Sequence, residues 1–144
     1  MRRLTVAVAV FLTGAALPAP GLKDAAPKPD PIVGMWKQES IGIDGKVQPE
    51  RDDRRWEFTA DGKYQRYRGG QKAWDEGVPY HIDPKADPKA LDVGRGILAV
   101  YKIEGDTLTV CVAQNELKTR PTGFEMLKNS NTALYVFKRV KSKD

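Results

Sequence analysis

Short stretches of strand-like alternation, separated by tight-turn residues, constrain the fold of this 144-residue chain more than any other feature. Residues 56–59 and 107–113 alternate apolar and polar side chains with a period of two, as half-buried strands do. Residues that favour tight turns separate such stretches. These turn signals are Asp44-Gly45, Asp61-Gly62, Gly69-Gly70 and Glu104-Gly105-Asp106. The pattern indicates a series of short antiparallel strands.

The predicted strands, about eight or nine in all, are regularly spaced, and only one segment favours a helical turn. They cover residues 35–43, 56–59, 64–68, 74–82, 90–93, 97–103, 107–113, 122–127 and 133–140. The helical turn is predicted at 49–54, since Pro49 suits a first helical position and acidic residues follow it. This distribution favours an all-β sandwich or an up-and-down barrel over a parallel α/β sheet. A barrel would also leave no free sheet edge.

The N-terminal residues have the pattern of a secretory signal. Two arginines precede the uncharged residues 4–16, and prolines and small residues follow. That apolar run is too short to cross a hydrocarbon core of about 30 Å comfortably, and an uncleaved membrane anchor is the alternative. We therefore expect an exported protein, in the periplasm, the envelope or the medium, with no stable membrane span after processing. The predicted segments are a signal peptide at 1–20, a Pro-rich tether at 21–31, one domain at 32–140 and a tail at 141–144.

The charge balance and the rarity of histidine and cysteine exclude several kinds of site. Of the 24 basic residues two lie in residues 1–20, which leaves 22 against 19 acidic residues, so the net charge does not favour nucleic acid as a partner. One His and one Cys cannot form a structural zinc site, and we expect no metal and no cofactor. Cys111 lies between two valines and is predicted to be a buried, unreactive thiol; an intermolecular disulfide is the alternative.

One pair of residues invites an acid–base mechanism. His81 and Asp83 occupy alternate positions of a predicted strand and so share a face. Two ligands do not complete a metal's coordination shell, and the chain has no Gly-X-Ser-X-Gly motif for a nucleophile. We therefore expect a protein that is not an enzyme.

Several short segments, each unspecific alone, form an ordered set along residues 32–140. They are residues 33–36, 43–46, 58–64, 82–84, 88–93, 101–108, Cys111, 120–124 and 136–139. Together they resemble a small exported domain of unknown function that is expanded in planctomycete bacteria and classed as lipocalin-like. The resemblance implies a single antiparallel barrel of about eight strands with at most one short helix. It implies no activity, catalytic residue or ligand.

The wider lipocalin group suggests how such a barrel would close. It carries Gly-X-Trp on the first strand, which here is Gly34 and Trp36, and an arginine on the last strand that packs across the indole. Either Lys138 or Arg139 could take that position in this chain. A cation over an indole contributes about 0.5–2 kcal/mol, and a glycine would let the chain turn beneath the barrel without a Cβ clash.

The same pattern suggests which side chains would meet a ligand. If Trp36 points inward, then Gln38 and Ser40 should share its face. Arg120, at the start of a predicted strand, could turn inward as an anion contact, and Tyr101 is a further candidate. The predicted ligand-binding residues are therefore Gln38, Ser40, Tyr101 and Arg120.

The sequence leaves open whether the barrel is hollow. Polar residues on the first strand favour a cavity, whereas large residues such as Trp56, Phe58 and Phe137 favour a filled interior. The first hypothesis is a non-catalytic, monomeric binding module with a small ligand in the barrel mouth. The alternative is a filled barrel that acts through its surface as an envelope protein-interaction or inhibitor module. The basic hairpin at 66–72 could then contact an anionic surface, or could simply be a charged edge that resists aggregation.

Overall fold

The computed structural model describes residues 28–94, 96–114 and 119–142. The predicted signal peptide, most of the tether and the last two residues of the tail lie outside this part of the chain. Within it, the structure contains strands and turns and no helix.

Ten strands follow one another along the described residues. They are β1 (Gly34–Ile43), β2 (Lys46–Pro49), β3 (Arg54–Phe58), β4 (Lys63–Arg68), β5 (Gln71–Lys72), β6 (Val78–Asp83), β7 (Lys89–Val93), β8 (Ile97–Glu104), β9 (Thr107–Ala113) and β10 (Thr132–Arg139). The predicted hairpins over residues 56–68 and 97–113 are confirmed as β3–β4 and β8–β9.

The sheet closes on itself because β10 pairs with β1 as well as with β9. The closed ring has the antiparallel order β10-β9-β8-β7-β6-β4-β3-β1, and the short strands β2 and β5 add to β1 and β4 outside it. The prediction of an all-β, lipocalin-like barrel of about eight strands is therefore confirmed. A closed ring satisfies the hydrogen bonds of both edges, which an open sheet of this length could not do.

The predicted helical turn at 49–54 is wrong, because side-chain acceptors replace helical carbonyls there. Pro49 ends β2 and Arg54 begins β3. The Glu50 carboxylate accepts hydrogen bonds from the amides of Arg51 and Asp52, at 3.1 and 2.8 Å. Asp53 has a φ of 48°, which no right-handed helix contains.

The predicted strand at 122–127 is also wrong. These residues form an irregular loop, and β10 pairs directly with β9 and β1. Those two pairings close the ring with β10 directly beside β9, so the segment between β9 and β10 contributes no strand to it. The loop instead lies on the outside of the barrel, where a Cβ added to Gly42 would collide with Met126. Residues 74–77, predicted as strand, are irregular too, and β6 begins only at Val78.

Large side chains fill the barrel from the Trp36 end upward. The fully buried ones include Trp36, Phe58, Tyr64, Tyr101, Leu108 and Phe137. Phe58 packs edge-on against Tyr80 with the ring centres 5.1 Å apart. A gap among Trp56, Tyr64 and the side chains of β7, β8 and β9 holds only about 10 Å³, which is roughly the space one water needs.

Arg139, not Lys138, seals this end. Its guanidinium carbon lies 4.1 Å from the centre of the Trp36 ring. Its two terminal nitrogens donate to the carbonyls of Val33 and Pro31, at 3.1 and 2.6 Å. Lys138 is exposed and bonds Thr107 instead. The arginine thus ties the chain that enters β1 to the end of β10.

Gly34 permits this close approach. It has a φ of 134°, and a Cβ on it would lie 3.0 Å from an Arg139 nitrogen. The Trp36 indole nitrogen in turn donates to the Ile32 carbonyl at 2.8 Å. The predicted closure by Gly34, Trp36 and a cation on the last strand is therefore present, with Arg139 as the cation.

Replacing Arg139 by Ala should lower the free energy of unfolding by about 2–3 kcal/mol, because a shielded cation–π contact and two charged hydrogen bonds are lost together. The matched change Lys138→Ala removes one exposed cation from the same strand and should cost less than about 0.5 kcal/mol. Urea denaturation of the three proteins measures the difference. Equal losses in the two variants would show that the closure does not depend on the arginine.

Candidate functional site

A cavity of about 210 Å³ lies at the end of the barrel opposite Trp36. Its wall is built from β1, β3, β4, β10 and the turn after β5. The lining residues are Gln38, Arg54, Trp56, Arg66, Tyr67, Arg68, Ala73 and Tyr135. The cavity, named here the mouth pocket, is the space that remains above the packed interior.

Strand alternation places the arginines of the mouth pocket above an indole. In the β3–β4 register, Trp56 lies opposite Arg66 and Arg54 lies opposite Arg68. Positions two apart on a strand, and cross-strand partners, share a face of the sheet. Trp56 is only 4% exposed and so forms the floor, while the arginines stand closer to solvent.

Arg66 is held in place mainly by aromatic rings. Its guanidinium carbon lies 5.1 Å from the Trp56 ring centre, 5.7 Å from that of Tyr64 and 5.9 Å from that of Trp74. Its Nε donates to the Tyr64 hydroxyl at 2.5 Å. Burial raises the pKa of Tyr64, so this phenol stays neutral. Among the described residues, no carboxylate lies within ion-pairing distance of Arg66.

The other two arginines are paired with carboxylates of the loop before β3. Asp52 binds Arg68 at 2.7 Å and Arg54 at 3.2 Å through the same oxygen. Glu50 lies 3.7 Å from Arg54 as well. Three guanidinium groups therefore face two carboxylates, and the excess positive charge belongs to Arg66.

Gln38 lies in the wall of the mouth pocket, as the inward orientation predicted for it requires. It is 2% exposed, and its side-chain nitrogen donates to Glu50 at 2.5 Å. This bond holds the Glu50 carboxylate, itself almost fully buried, between Gln38 and Arg54.

The expectation that Ser40 shares this inward face is wrong. The β1–β10 pairing shifts by one residue between Gln38 and Ser40, so Gln38 faces Phe137 but Ser40 faces Val136. A bulge of this kind inverts every following side chain relative to the simple alternation. Ser40 therefore lies on the outer face, and Ile41, opposite Tyr135, takes the inward position.

Arg120 lies on the outside of the barrel, so its predicted inward turn is also wrong. It donates to the carbonyls of Ala99 and Leu91, at 2.8 and 3.2 Å, and pairs with Asp92 at 2.6 Å. These bonds fasten the loop before β10 to β7 and β8. Two wide, open depressions of about 520 and 560 Å³ border that loop.

Tyr101 lies in the packed interior, away from the mouth pocket. It is 1% exposed, and its hydroxyl has no hydrogen-bond partner among the described residues. Burial raises its pKa to about 12. Its position among apolar neighbours makes it a core residue that carries an uncompensated polar atom.

His81 and Asp83 are both exposed and face outward, opposite Asp92 and Ala90 of β7. In the part of the chain that the structure covers, no three acidic, His or Cys side chains come together as a metal site would require. Cys111 is buried as predicted, and burial raises the pKa of its thiol. None of these three residues lines the mouth pocket.

Sequence reasoning missed the arginines of the mouth pocket, although a signal existed. The hairpin is predicted over residues 56–68, and its period of two, extended back to Arg54, places Arg54, Trp56, Arg66 and Arg68 on a single face. The pattern alone instead suggests an exposed basic edge at residues 66–72. What was missing was the direction of the Trp56 face, which only barrel closure fixes.

No protein-family model, curated protein or solved structure matches the chain. Residues 28–94, 96–114 and 119–142 contain no helix that is long and apolar enough to span a membrane.

Replacing Tyr101 by Phe should leave the free energy of unfolding at neutral pH unchanged or raise it by up to about 1 kcal/mol, because a buried hydroxyl without a partner is removed. The phenol's pKa rises from 10.0 to about 12 on folding. Between those values the unfolded chain loses this proton first, so the wild type should lose stability as the pH rises above 10. The variant should lose less. Urea denaturation at neutral pH and above pH 10 measures both effects, and a large destabilisation at neutral pH would mean that the hydroxyl has a partner.

Proposed function

We propose that this protein is a non-catalytic binding module that holds one small molecule in the mouth pocket. The observation that carries the proposal is the asymmetry of the barrel. Arg139 and Trp36 seal one end and large side chains fill the middle, while the opposite end keeps a cavity of about 210 Å³. Ligand sites are typically concave, with apolar or aromatic walls and a few oriented polar groups.

The setting of this function follows from the sequence. Residues 1–20 predict export, and a tether of about ten residues would separate the barrel from its processing site. The proposal therefore concerns a monomeric barrel in the envelope or outside the cell, with a small molecule or an envelope component as its partner. The resemblance to the planctomycete exported domain supports the same setting.

The second candidate is a surface-acting interaction module, and one observation favours it. Val47 and Leu127 are 62% and 57% exposed, and Ile43 is 39% exposed. The turn after β1 lies against the loop that carries Leu127, since Asp44 accepts a hydrogen bond from the Asn129 amide at 3.2 Å. These three side chains, on β1, β2 and the loop before β10, are exposed apolar groups from which such a module would act.

A bulky residue at the rim should distinguish the two candidates. Ala73 lines the mouth pocket and is exposed, and it contacts β4 through its backbone amide, which donates to the Arg66 carbonyl at 2.8 Å. Ala73→Trp should therefore fill the cavity without breaking the sheet. Amide-resolved NMR titration with indole, benzamide and benzoate should show shifts at the mouth pocket of the wild type, with dissociation constants of about a millimolar or tighter. These shifts should be lost in the variant.

Ala60→Trp is the matched control, because Ala60 is also exposed but lies in the turn between β3 and β4, outside the mouth pocket. It should bind the probes as the wild type does. If no probe shifts the mouth-pocket amides, or if Ala73→Trp binds as well as the control, the mouth is not a ligand site and the surface module is the better candidate.

A further inference from the structure

We propose that the mouth pocket selects small organic carboxylates with one negative charge and a flat or short apolar body. The carboxylate binds the two terminal amino groups of Arg66, and the body lies against Trp56 and Tyr135. This inference rests on the proposed function and adds the chemical class of the ligand.

The charges around the mouth pocket favour a single negative charge. Asp52 and Glu50 already occupy Arg54 and Arg68, as the distances of 2.7 to 3.7 Å show. Of the three arginines that line the mouth pocket, Arg66 is the one without a carboxylate partner among the described residues. A monoanion would therefore balance the site, whereas a dianion would leave excess negative charge beside Asp52 and Glu50 in a partly buried position.

The geometry of Arg66 favours a planar, two-oxygen anion. Three aromatic rings and the bond from Nε to Tyr64 fix the guanidinium group before any ligand arrives. Its terminal amino groups donate to no acceptor in the part of the chain that the structure describes. A guanidinium group with a free fork binds a carboxylate through two parallel hydrogen bonds. Because the arginine is already ordered, little side-chain entropy is lost on binding.

The remaining walls favour a small apolar body. The Trp56 and Tyr135 rings lie with their centres 5.0 Å apart and are tilted by 46°, and the Ala73 methyl group borders the same space. A cavity of about 210 Å³ is smaller than the 300–1,000 Å³ of typical drug-sized sites. It suits one ring or a short chain, and ring faces recognise flat ligands well.

Three probes separate charge from shape in the wild-type protein. Benzoate carries the carboxylate on one ring, benzamide is its neutral counterpart, and inorganic phosphate supplies charge without an apolar body. At constant ionic strength, benzoate should bind at least about tenfold more tightly than either of the others, since a bidentate charged hydrogen bond is lost in one and the ring contacts in the other. Calorimetry gives the affinities, and NMR shifts at Trp56 and Arg66 give the location.

Two substitutions test whether Arg66 is the group responsible. Arg66→Gln should remove the preference for benzoate over benzamide, and Arg66→Lys should keep only part of it because the charge remains but the fork is lost. Arg51→Gln is the matched control, since Arg51 is exposed and does not line the mouth pocket. It removes the same charge and should keep the wild-type preference. Thermal melts test whether each variant is folded. If Arg66→Gln is unfolded, the test uses the Arg66→Lys variant and the relative affinities of the wild type for benzoate, benzamide and phosphate.

Each remaining outcome is informative. If benzoate and benzamide bind equally at the mouth pocket, the charge selection is wrong and the proposed binding site stands. If phosphate binds as tightly as benzoate, the site recognises anions in general, and the proposed selectivity for organic carboxylates is wrong. If none of the probes perturbs Trp56 or Arg66, the proposed function fails together with this inference.

Discussion

The contact between Arg139 and Trp36 is the constraint on which the rest of the structure depends. The barrel closes only because β10 lies beside β1, and the arginine adds a cation–π contact and two carbonyl bonds at the point where both strands reach the end of the barrel. Each bond spans more than a hundred residues of sequence, so the contact joins the two ends of the domain. With this end sealed, the mouth pocket at the other end is where a ligand could enter.

The two ends of the barrel use the same chemistry differently. At the sealed end the guanidinium group of Arg139 stacks on an indole, and its two terminal amino groups donate hydrogen bonds to backbone carbonyls. At the open end Arg66 also stacks on an indole, but it bonds only a phenol through Nε in the described structure. Arg139 therefore uses its terminal amino groups to join two segments of the backbone, whereas Arg66, held by aromatic rings, keeps its terminal amino groups available for a ligand. This difference distinguishes the structural cation from the candidate ligand-binding one.

Much of the fold follows from local sequence, and the errors have local physical causes. The β3–β4 and β8–β9 hairpins are predictable because glycine turns and period-two alternation agree. The loop before β3 is mistaken for a helix because Glu50, one of the acidic residues that favour a helix start, uses its carboxylate to bind backbone amides. Ser40 is misplaced because a bulge carries no sequence mark. Arg120 is misplaced because its partners, two carbonyls of the outer face, are defined only by the finished barrel.

The charged side chains at the open end make the folded barrel less stable than apolar side chains in the same positions would. Apolar side chains of similar volume above Trp56 would extend the packed core, and they would need no acidic loop to neutralise them. The chain instead places three arginines there and orders the 50–53 loop, through Gln38 and two backbone amides, to balance two of them. Proteins commonly depart from their best packing where a site needs charge or room. On this physical ground the mouth pocket, with its one unbalanced cation above an aromatic floor, is a part of the barrel that stability alone does not explain.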